Sequence, residues 1–213
     1  MKYKGIIFDL DGVICSTDHY HYLAWKALAD RLGVYFDETI NNRLRGVSRM
    51  ASLDIVLERS DRAYTPEEKA AFAEEKNNTY RELLKSMTPA DLSPEVRETL
   101  DALRSRGLLL GIGSSSKNTK FILSRIGLGD YFDKISDGTN ITRSKPDPEV
   151  FLKAAEFVGM EPKDCLVVED AVSGAEAGHN AGMKVACVGD AAANGAGDWN
   201  MESFSELLTV VEE

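Results

Sequence analysis

An α/β fold is predicted, a doubly wound parallel sheet with an inserted helical block, on three observations. Beyond residue 89 the chain alternates short apolar, β-branched runs with helical periodicities, the order that builds a parallel sheet with right-handed crossovers. One more strand pattern stands near the start, and residues 17–88, between it and the rest, carry helical spacing only. Several apolar runs end on acidic or hydroxyl residues, and the carboxyl ends of strands are where ligands collect in such sheets.

The first strand is Gly5-Ile6-Ile7-Phe8, running into Asp9-Leu10-Asp11-Gly12, so that a buried strand carries charge at its tip. From His19 to Leu32 the residues Leu23, Ala24, Ala27, Leu28 and Leu32 recur at helical spacing, and Gly33 supplies a stop. A helix around Ser52 to Glu58 follows, then one from Pro66 to Leu84. The latter opens on Thr65-Pro66-Glu67-Glu68, a capping box with proline in the first turn. Pro89 and Pro94 interrupt the helical pattern. Thereafter the reading is helix Pro94–Arg106, strand Leu108–Ile112, helix Lys120–Ile126, strand Lys134–Ser136 and helix Glu149–Val158. Strand Leu166–Val168, helix Ser173–Ala181, strand Val185–Val188 and a last helix from Met201 to Val211 complete it, with Ala191–Gly197 as a small-residue loop. Residues 1–16 and 89–213 are expected to form the α/β core. Residues 17–88 are expected to form a helical cap over the strand ends, joined by two linkers.

Composition narrows the function. The 213 residues are 43% hydrophobic and 28% charged, ordinary for a globular chain, and the formal net charge is −10. That balance argues against nucleic acid or an anionic membrane as a partner. An anionic substrate must instead be met by a few positioned cations. Cys15, Cys165 and Cys187 sit in or beside apolar runs without zinc-site spacing and read as reduced core residues. Neither a signal-peptide pattern nor a run of membrane-spanning length is evident, so a cytoplasmic location is expected. No exposed apolar stripe stands out, and a monomer is expected.

The residues after the strands make a chemical set. Asp9 and Asp11 follow the first. Gly113-Ser114-Ser115-Ser116-Lys117-Asn118 follows the second and enters a helix, where amides and hydroxyls can cradle an oxyanion. Ser144-Lys145-Pro146 precedes the helix at Glu149, and Glu169-Asp170 follows the strand at Leu166. Phosphoryl transfer needs this combination, because a carboxylate attacking a phosphate dianion meets like-charge repulsion. A hard cation such as Mg2+, held by Asp9, Glu169, Asp170 and the Asp11 carbonyl, would offset it. Lys145 and Ser114 would bind the equatorial oxygens, Asp9 would form an aspartyl-phosphate, and Asp11 would act as general acid and base.

With these four motifs in order, the chain resembles the haloacid dehalogenase (HAD) superfamily over nearly all its length, which implies a Rossmann-like core with a cap. Within the superfamily, Tyr20-His21-Tyr22-Leu23-Ala24-Trp25-Lys26, Leu44-Arg45-Gly46-Val47-Ser48-Arg49 and Lys76-Asn77-Asn78-Thr79-Tyr80 resemble the cap of the β-phosphoglucomutase family. The resemblance implies a substrate site that includes Thr17 at a hinge, with His21, Trp25 and Lys76 about the sugar. Gly46, Val47, Ser48 and Arg49, with Ser116, Lys117 and Asn118, would hold the phosphate that is not reacting, and Ser115 would belong to the same substrate site. It further implies interconversion of β-D-glucose 1-phosphate and glucose 6-phosphate through a glucose bisphosphate. Ser16 stands where that family usually has an acidic residue, and Arg45 where it has lysine.

Turning a sugar monophosphate around requires two phosphate sites, and Arg49, Lys117 and Asn118 supply groups suited to the second. A HAD-type phosphatase for small sugar phosphates would use the same core residues. A dehalogenase would leave Asp11 idle, since no alkoxide leaves. A phosphorylated signalling receiver needs neither the helical insertion nor an Asp11-type acid.

Overall fold

The computed structural model describes residues 2–44 and 47–212. The chain divides into two compact units, Met1–Ser16 with Thr88–Glu213, and Thr17–Met87. Among the described residues no helix is long and apolar enough to cross a membrane.

The Thr17–Met87 unit is helical throughout its described residues: α1 (Asp18–Leu32), α2 (Glu38–Asn42), α3 (Arg49–Leu57) and α4 (Pro66–Leu84). Gly33 ends α1 in the left-handed region, at φ 70°. At the start of α4, Glu68 N–H donates to Thr65 Oγ1 at 3.2 Å and Thr65 N–H donates to Glu68 Oε2 at 2.9 Å. Such a cap contributes about 1 kcal/mol. Trp25, Leu28, Phe36, Ile40, Leu53 and Val56 form its core. The short α2, absent from the sequence reading, starts where Asp37 accepts the Ile40 N–H at 2.9 Å; at five residues it is below the length at which periodicity is visible.

The other unit carries a six-stranded sheet: β1 (Gly5–Phe8), β2 (Leu109–Gly113), β3 (Lys134–Ser136), β4 (Cys165–Glu169), β5 (Lys184–Cys187) and β6 (Trp199–Asn200). Its order is β3-β2-β1-β4-β5-β6 and every pairing is parallel. The helices are α5 (Pro94–Ser105), α6 (Thr119–Arg125), α7 (Glu149–Val158), α8 (Val172–Asn180), α9 (Gly189–Ala193) and α10 (Leu207–Val210). All residues of β1 and β4 are buried, as expected for central strands covered on both faces. On one face Ile7, Val167 and Val185 pack with Phe151 and Ala154 of α7 and Ala175 of α8. On the other, Phe8 meets Phe132 and Phe204.

Two stretches correct the sequence reading. The expected loop 191–197 begins inside α9 and leads to the edge strand β6, whose two residues are too short to register as a pattern. The expected helix from Met201 is only a turn at Phe204–Glu206 and the short α10. Glu206 Oε1 accepts the Ser203 N–H at 2.9 Å, which starts the turn three residues later than the apolar spacing suggested.

Candidate active site

Strand order reverses direction between β1 and β4, and crevices form at the carboxyl ends of strands at such a switch point. Register fixes which residues meet there. Phe8 pairs with Val168 on one side and Ile112 on the other, so Asp9 emerges beside Glu169 and Gly113. The Asp9 N–H donates to the Val168 carbonyl at 2.9 Å, which holds the carboxylate at the mouth of the crevice. Lys145 arrives from the loop after β3. It is held at both ends of a short bridge, with Nζ 2.5 Å from Asp9 Oδ1 and 2.5 Å from Glu169 Oε1. Its side chain is 8% exposed.

Asp9, Glu169 and Asp170 each offer a carboxylate oxygen, and these atoms all lie within 4.8 Å of one another. One lysine does not balance three carboxylates, and the titration behaviour reflects it. Asp170 is pushed up to about 8 by burial, then by the charges of Asp9 and Glu169, with a smaller push from Asp11. Burial and Asp9 also raise Glu169 against the pull of Lys145. Burial alone would lower the Lys145 ammonium, but Asp9 and Glu169 outweigh it and hold its pKa above the ordinary value. The cluster thus clings to protons because it is short of positive charge. Hard oxygen donors at this spacing suit Mg2+.

Two glycines make the cluster possible. Gly12, at φ 85°, lies so close to Asp170 that a Cβ there would fall 2.0 Å from Asp170 Oδ2. Gly174, in the first turn of α8, would place a Cβ 1.8 Å from Glu169 Oε1. The Glu169 carboxylate rests in that space, and its Oε2 accepts the N–H groups of Asp170 at 2.8 Å and Ala171 at 2.9 Å. In the sequence Gly12 belongs to the acidic turn, and Gly174 is marked only as a glycine just inside a helix.

The turn after β2 is stitched by its own hydroxyls. Ser114 Oγ accepts the Ser116 N–H at 3.2 Å, Ser116 Oγ accepts the Asn118 N–H at 3.2 Å, and Thr119 Oγ1 donates to the Ser116 carbonyl at 2.9 Å. The Ser115 hydroxyl is buried with no hydrogen-bond partner among the described residues, and Lys117 is exposed. Asp11 is half-buried, in an isolated bridge with Cys15 that closes the acidic turn.

In the helical unit, Lys76 Nζ lies 2.7 Å from His21 Nδ1, 4.7 Å from the Trp25 ring centroid and 4.6 Å from that of Tyr80. His21 stacks on Tyr80 with centroids 4.1 Å apart. Burial, then Lys76 and Arg49, drive its pKa well below the usual value, so the imidazole is neutral. Arg49, half-buried at the start of α3, donates to Asn77 Oδ1 at 3.0 Å. Ser48 caps the same helix by accepting from Ala51 N–H at 3.4 Å, Val47 is exposed beside it, and Thr17 is buried before α1. Arg45 and Gly46 lie outside the described residues.

A family model described as haloacid dehalogenase-like hydrolase matches residues 3–182. The β-phosphoglucomutase of Bacillus subtilis is 41% identical over 188 residues, 87% of this chain and 83% of that protein. The phosphorylated carbohydrates phosphatase of Thermotoga maritima is 32% identical over 184 residues, 85% and 82% of the two chains. Among solved structures, β-phosphoglucomutase from Clostridium difficile superposes with a TM-score of 0.90 at 37% identity, over 99% of this chain and 96% of the other.

Proposed function

The chain belongs to the haloacid dehalogenase-like hydrolase family, and from that premise we propose that it is a phosphotransferase that interconverts β-D-glucose 1-phosphate and glucose 6-phosphate. The observation that carries the reading is Lys145 bridging Asp9 and Glu169 at the ends of β1 and β4. In the half-reaction that loads the enzyme, an Asp9 oxygen attacks one phosphorus of the sugar bisphosphate and the bond from that phosphorus to the sugar oxygen breaks, leaving a sugar monophosphate. The Asp11 carboxyl gives its proton to that leaving oxygen. In the other half the free hydroxyl of β-D-glucose 1-phosphate attacks the aspartyl-phosphate, Asp11 takes its proton, and Asp9 is released as carboxylate. The glucose bisphosphate so formed turns around to present its other phosphate to Asp9. Lys145 and Ser114 bind the phosphoryl oxygens, where charge is spread in the transition state. Asp9, Glu169 and Asp170, with the Asp11 carbonyl, are the groups that would hold Mg2+, whose charge when bound offsets repulsion between carboxylate and phosphate.

Mutase rather than phosphatase is favoured by the similarity at 41% identity and by Arg49, a guanidinium already oriented by Asn77. Arg49 and the neutral His21 with Lys76 are assigned to the far phosphate and the sugar. Water attack on the same aspartyl-phosphate is the second reading, favoured by the phosphatase relative at 32% identity. The test supplies β-glucose 1-phosphate, Mg2+ and a trace of the bisphosphate, then measures glucose 6-phosphate and free phosphate together. Glucose 6-phosphate is expected to dominate; free phosphate in excess would establish the phosphatase instead. In the same assay Arg49→Ala is expected to slow isomerisation by about 10- to 100-fold while changing hydrolysis of p-nitrophenyl phosphate by no more than about twofold. Equal losses in the two reactions would remove the distant-phosphate role.

A further inference from the structure

The mechanism above makes no use of Phe151, yet this fully buried ring touches both carriers of its phosphate-binding groups. Lys145 Nζ lies 4.7 Å from the ring centroid. A Cβ on Gly113, the residue before Ser114, would fall 2.6 Å from Phe151 Cδ1 and 2.9 Å from Cε1, so the ring fills the space that a side chain at 113 would take. The helix that carries it is tied to the loop delivering Lys145. Glu149 Oε2 accepts the Thr142 N–H at 3.0 Å, the Thr142 hydroxyl at 3.0 Å and the Arg143 N–H at 2.8 Å. Lys153 of the same helix donates to the Asn140 carbonyl.

Resting on the reading of Asp9 as nucleophile, we propose that Phe151 is a positioning residue, whose ring face holds the Lys145 ammonium in place while its carboxylate partners change. The reason lies in the reaction itself. Asp9 and Glu169 both attract Lys145, but once an Asp9 oxygen is esterified to phosphorus the negative charge on that side sits farther out, on the phosphoryl oxygens. A lysine held by charges alone would then move as that charge moves between carboxylate and phosphoryl oxygens through the cycle. The π face is a partner whose partial negative charge is the same in every step, and out of water such a contact is strong enough to matter. The ring also backs Gly113, which keeps the lysine and the Ser114 turn at one spacing.

Ring fluorination separates this role from simple packing, because it drains the π face while adding little volume. Phe151 is replaced in turn by mono-, di- and trifluorophenylalanine, and kcat and KM for p-nitrophenyl phosphate are measured beside the thermal midpoint. kcat is expected to fall stepwise, by about tenfold at the trifluorinated ring, with KM and the midpoint unchanged. Phe151→Leu, which keeps apolar filling without a face, is expected to lose at least as much. A flat fluorine series would overturn the proposal, and this holds even if Phe151→Leu fails to fold. Lys145→Ala, assayed alongside, tests the underlying reading: wild-type kcat there would sink the proposed mechanism, whereas a large loss there with a flat fluorine series would remove Phe151 alone.

Discussion

Asp9→Asn yields a folded protein that neither acquires phosphate nor turns over substrate, with kcat reduced by about 10,000-fold or more. The amide keeps the shape of the carboxylate and the backbone bond to Val168 that positions it, so the fold has no reason to change. Two things are lost: the attacking oxygen, and one of the three carboxylates that crowd within 4.8 Å. The measurement is mass spectrometry of intact protein after brief exposure to the bisphosphate, alongside the turnover assay. A variant that still gained the mass of a phosphate, or retained appreciable kcat, would take the nucleophile away from Asp9. Removing one negative charge also leaves Lys145 with Glu169 as its remaining carboxylate partner. Thermal stability is therefore expected to hold or rise while activity disappears, the opposite of what a folding defect would give.

Gly174→Ala is expected to be nearly as damaging, although residue 174 touches no reacting atom. The new methyl would fall 1.8 Å from Glu169 Oε1 and 2.0 Å from its Cδ, and this carboxylate is not a loose side-chain end. Two backbone N–H groups and Lys145 hold it, in a site that is 1% exposed. Either the start of α8 moves away or Glu169 leaves Lys145. Overpacking of this kind costs about 1–3 kcal/mol of stability. Displacing a group that orients ligands lowers metal affinity or activity by about 10- to 100-fold. Calorimetric titration with Mg2+ and the turnover assay are expected to report losses of that size together. Unchanged Mg2+ affinity and unchanged kcat would mean that the carboxylate has freedom the geometry does not suggest.

Much of the core was legible because its chemistry stands at strand tips. The runs ending at Phe8 and Val168 are apolar enough to announce buried parallel strands, so the acids after them had to lie at an edge where ligands gather. Capping chemistry marked α4 to the residue, since Thr65, Pro66 and Glu68 each act on the backbone locally. What remained hidden depends on non-local geometry. Lys145 was legible as a phosphate-binding cation, but its bridge between Asp9 and Glu169 depends on how the loop after β3 folds back. Phe151 reads in sequence as one more apolar residue of a helix; its meaning comes from a lysine six positions earlier and a glycine on another strand. The edge strand β6 and the helix α2 escaped for a simpler reason, being two and five residues long and so too short for a period to repeat.

The placement of β1 bears on how the chain is made. Gly5 pairs with Leu109 on one side and Cys165 on the other, so the first strand synthesised waits longest for its second neighbour. On the ribosome the segment from Thr17 to Met87 can collapse on its own, while Gly5-Ile6-Ile7-Phe8 waits with bare edges for most of translation. A short, uncharged, β-branched tract in that position is an adhesive hazard for neighbouring nascent chains. Expression at high temperature or without chaperones is therefore where this protein would first be lost to inclusion bodies.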